Sequence, residues 1–253
     1  MKTFSLLVPT RKREGYLREY FESIVQTAKY PQRLTVLVAY DDDDEITANL
    51  IPTIKKYSFK IRWCKRGRSN FINEDYYNWL ARQSNSGDMD YVFANADDIR
   101  YIAVEWDAII EHKIEAFCNN KSDRLVGIGI KDNTPKPKPT LPQFPCFPLV
   151  TRESFNHFGF LLHPFIPTWG ADYLFYLLYT GADRYLPIDN RVYMNHMGIH
   201  TKTGPKDETA AHVEKVFNTL KMNQKHNVDF AKDNILPQQI REFRQHLHSI
   251  NKG

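Results

Sequence analysis

The sequence predicts an α/β protein in which a mostly parallel central sheet is flanked by helices. Three observations predict it. The runs Phe4–Val8, Leu34–Ala39 and Tyr91–Ala94 are almost unbroken apolar stretches, the pattern of strands buried on both faces. Between the first two runs lies a helical stripe, so the order is β-α-β, which implies parallel neighbours joined by a right-handed crossover. The second and third runs each stop on carboxylates, at Asp41 to Asp44 and at Asp97-Asp98. Unpaired charge cannot continue a core, so these side chains must meet water, a cation, a ligand or a free helix end. In open α/β sheets the ligand crevice lies beyond the carboxyl ends of the strands.

Composition sets the bounds. A chain of 253 residues with 42% hydrophobic residues and 11 glycines fits a packed globular body and excludes a disordered or fibrous one. The net charge of +4 permits an anionic partner without demanding one. Cys64, Cys118 and Cys146 are scattered, with no C-x-x-C pair, which reads as reduced thiols rather than a disulfide frame or zinc site. No long apolar segment opens the chain, and none reaches the length of a membrane span. A soluble, cytoplasmic protein is expected.

Taken in order, Phe4–Val8 is a strand stopped by Pro9-Thr10. Beyond the basic loop Arg11-Lys12-Arg13, the residues Tyr16, Leu17, Tyr20, Phe21, Ile24, Val25 and Ala28 form a helical stripe. Leu34–Ala39 is the second strand. Ile46 to Tyr57 predicts a helix interrupted at Pro52, and Lys60–Cys64 alternates like a strand with one exposed face. Phe71, Ile72, Tyr76, Trp79 and Leu80 mark a helix ended by a polar turn at Ser84 to Asp88. After the Tyr91–Ala94 strand come a helix along Trp106 to Cys118 and a strand over Arg124–Ile130. Prolines 135, 137, 139, 142, 145 and 148 then stiffen a loop, whose interleaved Phe144, Cys146 and Phe147 suggest that it packs over a site. Tyr173 to Thr180 predicts a short helix. Past Gly204-Pro205, stripes at Val213, Val216, Phe217, Leu220 and at Ile240, Phe243, Leu247, Ile250 predict a helical appendage, giving a body of residues 1–204 and an appendage of 205–253.

Several residues could carry chemistry, each beside a plainer reading. Asp41 to Asp44 is no calcium loop, because Ile46 stands where the sixth-position glycine is required. Acidic residues in a helix's first turn are the plain alternative. Asp97 and Asp98 suit a cation or a helix cap. Asp172 opens a helix and is either a functional carboxylate or its cap. His196 and His200 have the spacing of a zinc-protease pair, but Met197 stands where that pattern needs Glu, and a structural role is the alternative. There is no G-x-x-x-x-G-K-[ST] loop and no G-x-G-x-x-G after a strand, so neither a P-loop enzyme nor a nicotinamide dehydrogenase is supported.

Four places in this order resemble the GT-A fold, a Rossmann-like fold of nucleotide-sugar glycosyltransferases, and its inverting family 2 group in particular. They are Val8-Pro9-Thr10, Asp41 to Asp44, Asn95-Ala96-Asp97-Asp98 and Trp169-Gly170-Ala171-Asp172. The order of Asn78, Gly87-Asp88 and the acidic cluster also matches, and the resemblance spans roughly residues 4 to 204. It implies that a sugar passes from a nucleoside diphosphate, in the first instance UDP, to an acceptor hydroxyl. It implies a divalent cation, Mn²⁺ or Mg²⁺, on Asp97, with Asp98, His196 and His200 as further candidate ligands. The donor would be lined by Pro9, Thr10, Arg11, Asp41, Asp43, Arg66, Asn78, Asn95, Asp97 and Lys202, and Asp172 would be the general base. Two departures stand out: Asn95 replaces the first aspartate of the family's D-x-D, and Ala171 replaces a usual glutamate. These departures motivate one alternative, a non-catalytic nucleotide-sugar-binding protein; a nucleotidyltransferase is the other. Gln238 to Glu242 lacks the tryptophan of the polymer synthases' Q-x-x-R-W. The acceptor is either a glycan or a hydroxylated DNA base. The DNA reading would use Arg11, Lys12, Arg13, Lys65, Arg66, Arg68, Lys131, Lys136 and Lys138 to follow phosphates.

Overall fold

The computed structural model describes residues 2–84, 89–119, 121–134, 144–167, 170–188, 191, 193–197, 229 and 231–250. The elements follow the chain as β1 (Phe4–Pro9), α1 (Glu14–Thr27), β2 (Leu34–Asp41), α2 (Glu45–Leu50) and β3 (Lys60–Arg66). A helix then opens with wide π turns at Ile72–Asn78 and tightens into α3 (Trp79–Gln83). Next come β4 (Tyr91–Ala94), β5 (Ile99–Tyr101), α4 (Trp106–Cys118), β6 (Gly127–Ile130), β7 (Pro148–Thr151) and α5 (Arg152–Phe158). The rest is α6 (Ala171–Gly181), β8 (Tyr185–Ile188), β9 (Met194–His196) and α7 (Leu236–Ile250).

Seven strands form one sheet in the order β3-β2-β1-β4-β7-β6-β8. β7 alone runs against the others, pairing antiparallel with β4 and β6. The mostly parallel α/β sheet expected from the buried runs is therefore present. Alternate residues of each strand feed opposite faces. Phe4, Leu6, Val8, Val36, Val38 and Phe93 face one core with α1 and α4. Leu7, Leu37, Ala39, Val92 and Ala94 face a second core with α3, α6 and α7. Trp106 is fully buried in the first core, stacked on Tyr101 at 4.1 Å. The break expected at Pro52 is real, since α2 ends at Leu50 and a 3₁₀ turn, Ile51–Thr53, carries the proline, but the helix expected on to Tyr57 does not resume beyond it.

Four strands were not foreseen, among them β8 at the sheet edge beside β6. β7 hides at the end of the proline-rich segment, starting on its last proline, Pro148, and running through Leu149 and Val150 to Thr151. β5 and β9 are three residues each, too short to show a period, and they pair with each other as a separate ribbon. The strand expected over Arg124–Ile130 is shorter, beginning at Gly127.

The carboxyl-terminal stripe does form a helix. α7 packs on α6 and α5, with Phe243 1% exposed and its ring 6.0 Å from that of Tyr179 in α6 and 4.8 Å from that of Phe158 in α5. Close approach depends on Gly181, where a Cβ would lie 2.6 Å from Ile240 Cδ1. Removing the Phe243 ring should cost about 3–5 kcal/mol, as for other buried aromatics, and urea denaturation of Phe243→Ala checks it. The stripe at 213–220 and the expected boundary at 204–205 lie outside the described residues. Among the described residues no helix is long and apolar enough to cross a membrane.

Candidate active site

Because β1, β2, β3 and β4 are parallel, their carboxyl ends share one rim. The register pairs Pro9 with Ala39 and Leu7 with Ala94, so the residues after each strand emerge side by side. Thr10, continuing from β1, donates its hydroxyl to Asp97 Oδ2 at 2.6 Å. Arg13 donates to Asp97 Oδ1 at 2.8 Å and to Asp98 Oδ2 at 3.2 Å. Both aspartates are buried, so this guanidinium supplies the compensating charge that the burial demands.

Asp98 keeps one atom open. Its Oδ1 is buried without a hydrogen bond among the described residues, and His196 Nε2 lies 3.5 Å away. Burial pushes the Asp98 carboxyl up, but His196 and Arg13 outweigh it and hold it below the usual carboxylate range. The ribbon explains this contact. β5 starts directly after Asp98, and its Ile99 pairs with His196 of β9. The other imidazole nitrogen, Nδ1, is 3.3 Å from Thr134 Oγ1.

The second strand end is closed in the same way. Asp41 is buried and accepts from Arg11 Nη1 at 2.7 Å and from the Tyr76 hydroxyl. Arg11 also grips the exposed Asp43 at 2.5 and 2.9 Å, and these bonds hold the Asp43 carboxyl down at about 2. Asp44 is a helix cap: it accepts from Thr47 N at 3.0 Å, Thr47 Oγ1 at 2.6 Å and Lys12 N at 2.9 Å. Asp44→Ala should therefore lower stability by about 1–2 kcal/mol in a denaturation series. Arg66 ends β3 opposite Asp41 and lies 4.5 Å over the Tyr76 ring and 5.1 Å from that of Trp79.

Two of the candidate donor residues turn inward. Asn95 is fully buried, and its Oδ1 accepts from Tyr20 at 3.2 Å and Tyr101 at 2.7 Å. Its amide donates to Phe93 O at 3.2 Å. An amide satisfies such a site, where a carboxylate would be a buried charge beside two phenols. Asn78 is also fully buried, donating to Leu162 O at 2.7 Å and accepting from Leu161 N and Leu162 N at 2.8 and 3.0 Å. It fastens a loop to the helix beneath the rim.

Asp172 lies in the first turn of α6. The cap there is Gly170, at φ 91°, with no side-chain cap bond, so the aspartate does not hold the capping position. Its Oδ1 accepts from Tyr173 N at 2.9 Å. Burial, with a smaller contribution from the like charge of Asp132, raises its carboxyl to about 6. Part of the residue stays open to solvent. Asp132, which sequence reasoning missed, follows β6 and accepts from Thr134 N at 2.6 Å and Cys146 N at 3.4 Å. The signal available was the same one used for Asp41 and Asp97, an apolar run ending on a carboxylate.

The fold has counterparts among solved structures. A truncated S. aureus TarS in complex with UDP aligns with a TM-score of 0.57 and 14% identity, over 94% of this chain and 77% of that one. The same protein in complex with UDP-GlcNAc aligns at 0.54 and 15%, over 90% and 69%. The mannosyltransferase PcManGT from Pyrobaculum calidifontis, in complex with GDP-Man and Mn²⁺, aligns at 0.57 and 11%, over 91% and 73%. This chain has the GT-A fold. No family model and no curated protein matches the sequence.

In GT-A terms, the described part of the rim gathers Pro9, Thr10, Arg11, Asp41, Asp43, Arg66, Asp97, Asp98 and His196. His200 and Lys202 lie outside the described residues, as does Trp169. Among the described residues no three His, Cys, Asp or Glu side chains are already gathered at metal-holding distances. Asp97, Asp98 and His196 nevertheless fit a hard divalent cation chemically, since Asp98 Oδ1 is an orphaned acceptor beside an imidazole nitrogen. The guanidinium of Arg13 now neutralises both carboxylates, so a cation would have to displace it.

Proposed function

We propose that the chain transfers a sugar, with inversion, from a nucleoside diphosphate sugar to an acceptor hydroxyl on a glycan. The observation that carries this reading is the convergence of Asp41, Asp97 and Asp98 on one rim of a GT-A sheet. Neighbours of the same fold are in complex with UDP, UDP-GlcNAc and GDP-Man. Asp97, Asp98 and His196 would hold a divalent cation, which when bound neutralises charge on the diphosphate leaving group. Asp41 and Arg66 flank the space where a base and ribose would lie. As the acceptor oxygen bonds to the sugar's anomeric carbon, the carbon–phosphate-oxygen bond breaks and the nucleoside diphosphate leaves with its electron pair. The acceptor's proton goes to Asp172, whose raised pKa near 6 suits a base working near neutrality.

A DNA acceptor has less support. Three of the cations it would use are committed to the site's own carboxylates: Arg11 to Asp41 and Asp43, Arg13 to Asp97 and Asp98, and Arg66 toward Asp75 at 3.7 Å. Incubation with UDP- and GDP-sugars and Mn²⁺ tests the proposal. Slow release of free UDP or GDP without acceptor is expected. Pyrophosphate release would mean a nucleotidyltransferase, and binding without turnover a non-catalytic protein.

A further inference from the structure

Most large apolar side chains of the described residues are buried, and only two aromatic ones are strongly exposed: Phe71 at 45% and Phe165 at 69%. Topology puts both on the active-site rim. Phe71 precedes the helix that begins at Ile72, after β3 has ended on that rim at Arg66. Phe165 precedes α6, which must begin on the same rim because it returns the chain to β8, a strand parallel to β6. The buried Asn73 fastens the two segments together, its backbone N donating to Pro167 O at 3.2 Å and its amide to Ile166 O at 2.6 Å. The Phe165 ring rests on the buried imidazole of His163, 5.5 Å between centroids, so an underlying side chain supports it and leaves the rest to solvent.

We propose that Phe71 and Phe165 form a stacking platform for an uncharged sugar ring of the acceptor. This rests on the transferase reading above. Flat aromatic faces match the apolar C–H face of a pyranose. Local charge argues for a neutral ligand rather than a polyanion. Arg82 pairs with Glu74 at 2.5 Å, and Arg66 faces Asp75 at 3.7 Å. These cations are balanced by carboxylates, whereas a phosphate chain needs unbalanced ones.

The test uses cellotetraose and chitotetraose as probes, with saturation-transfer NMR on the whole protein. Wild type should transfer magnetisation to pyranose ring protons. The double variant F71A/F165A should bind about tenfold more weakly, the worth of a modest stacking contact, while F71W/F165W keeps the signal. Exposed positions should tolerate both, and matching melting curves check this. Absence of transfer in wild type, transfer undiminished in F71A/F165A, or preferential binding of a DNA duplex would each overturn the platform. Calorimetric titration of UDP and GDP into the same proteins separates the two ideas. Nucleotide binding with sugar contacts indifferent to the alanines removes the platform alone. Sugar stacking in a protein that binds neither nucleotide keeps the platform and removes the donor reading.

Discussion

Asp172→Asn should leave folding and nucleotide binding intact and slow sugar transfer by roughly 10²- to 10⁴-fold, the usual worth of general-base catalysis. The asparagine keeps the side-chain oxygen that accepts from Tyr173 N and loses only basicity. The wild-type rate should also fall as pH drops through about 6, where this carboxyl takes up its proton, and the variant should lack that limb. Stability provides an independent check. Folding raises this group's pKa above the ordinary 3.8, so the native state holds the proton more tightly than the unfolded chain. The group therefore favours the fold at low pH, and that contribution is lost as pH rises through about 6. Asp172→Asn should gain on wild type in melting temperature between pH 4 and pH 7. A normal rate in a normally folded Asp172→Asn protein would leave the mechanism without its base.

The second large effect concerns Asp97. UDP or GDP at a hundred times its dissociation constant should stabilise the protein by about 2.7 kcal/mol, by mass action. If a cation bridges Asp97 and the diphosphate, most of that gain should need Mn²⁺ and vanish in EDTA. Asp97→Ala should abolish the metal-dependent part. Removing this carboxylate also strands Arg13 and Thr10, which lowers stability by itself. The quantity to compare is therefore the nucleotide-induced shift, not the absolute melting point. An equal shift in Mn²⁺ and EDTA would sink the cation.

Much of the architecture was legible because its cause is local. A strand buried on both faces must be apolar throughout, so β1, β2 and β4 announce themselves, and so do the carboxylates that end β2 and follow β4. What stayed hidden depends on distant partners. Arg13 reads as part of a solvated basic loop until the fold brings it onto Asp97 and Asp98. Asn78 and Asn95 are residue types that suit a ligand or a core equally well. Only packing shows that Asn95 faces Tyr20 and Tyr101, and that Asn78 holds the backbone of Leu161 and Leu162. The four acidic residues at 41–44 could not be sorted by sequence, yet they divide cleanly. Asp44 caps α2, Asp41 is buried under Arg11 and Tyr76, Asp43 meets Arg11 from solvent, and Asp42 is exposed. His196 owes its place to a three-residue strand that no periodicity reveals.

The central claim is that a nucleotide diphosphate binds beyond the carboxyl ends of β1, β2 and β4. A crystal structure of the protein with UDP or GDP and Mn²⁺ tests it most directly. The diphosphate and Mn²⁺ should appear at Asp97 and Asp98, with the base toward Asp41 and with Arg13 released from both carboxylates. Nucleotide bound away from this rim, or no nucleotide at saturating UDP and GDP with the Arg13 pairs intact, would contradict the account.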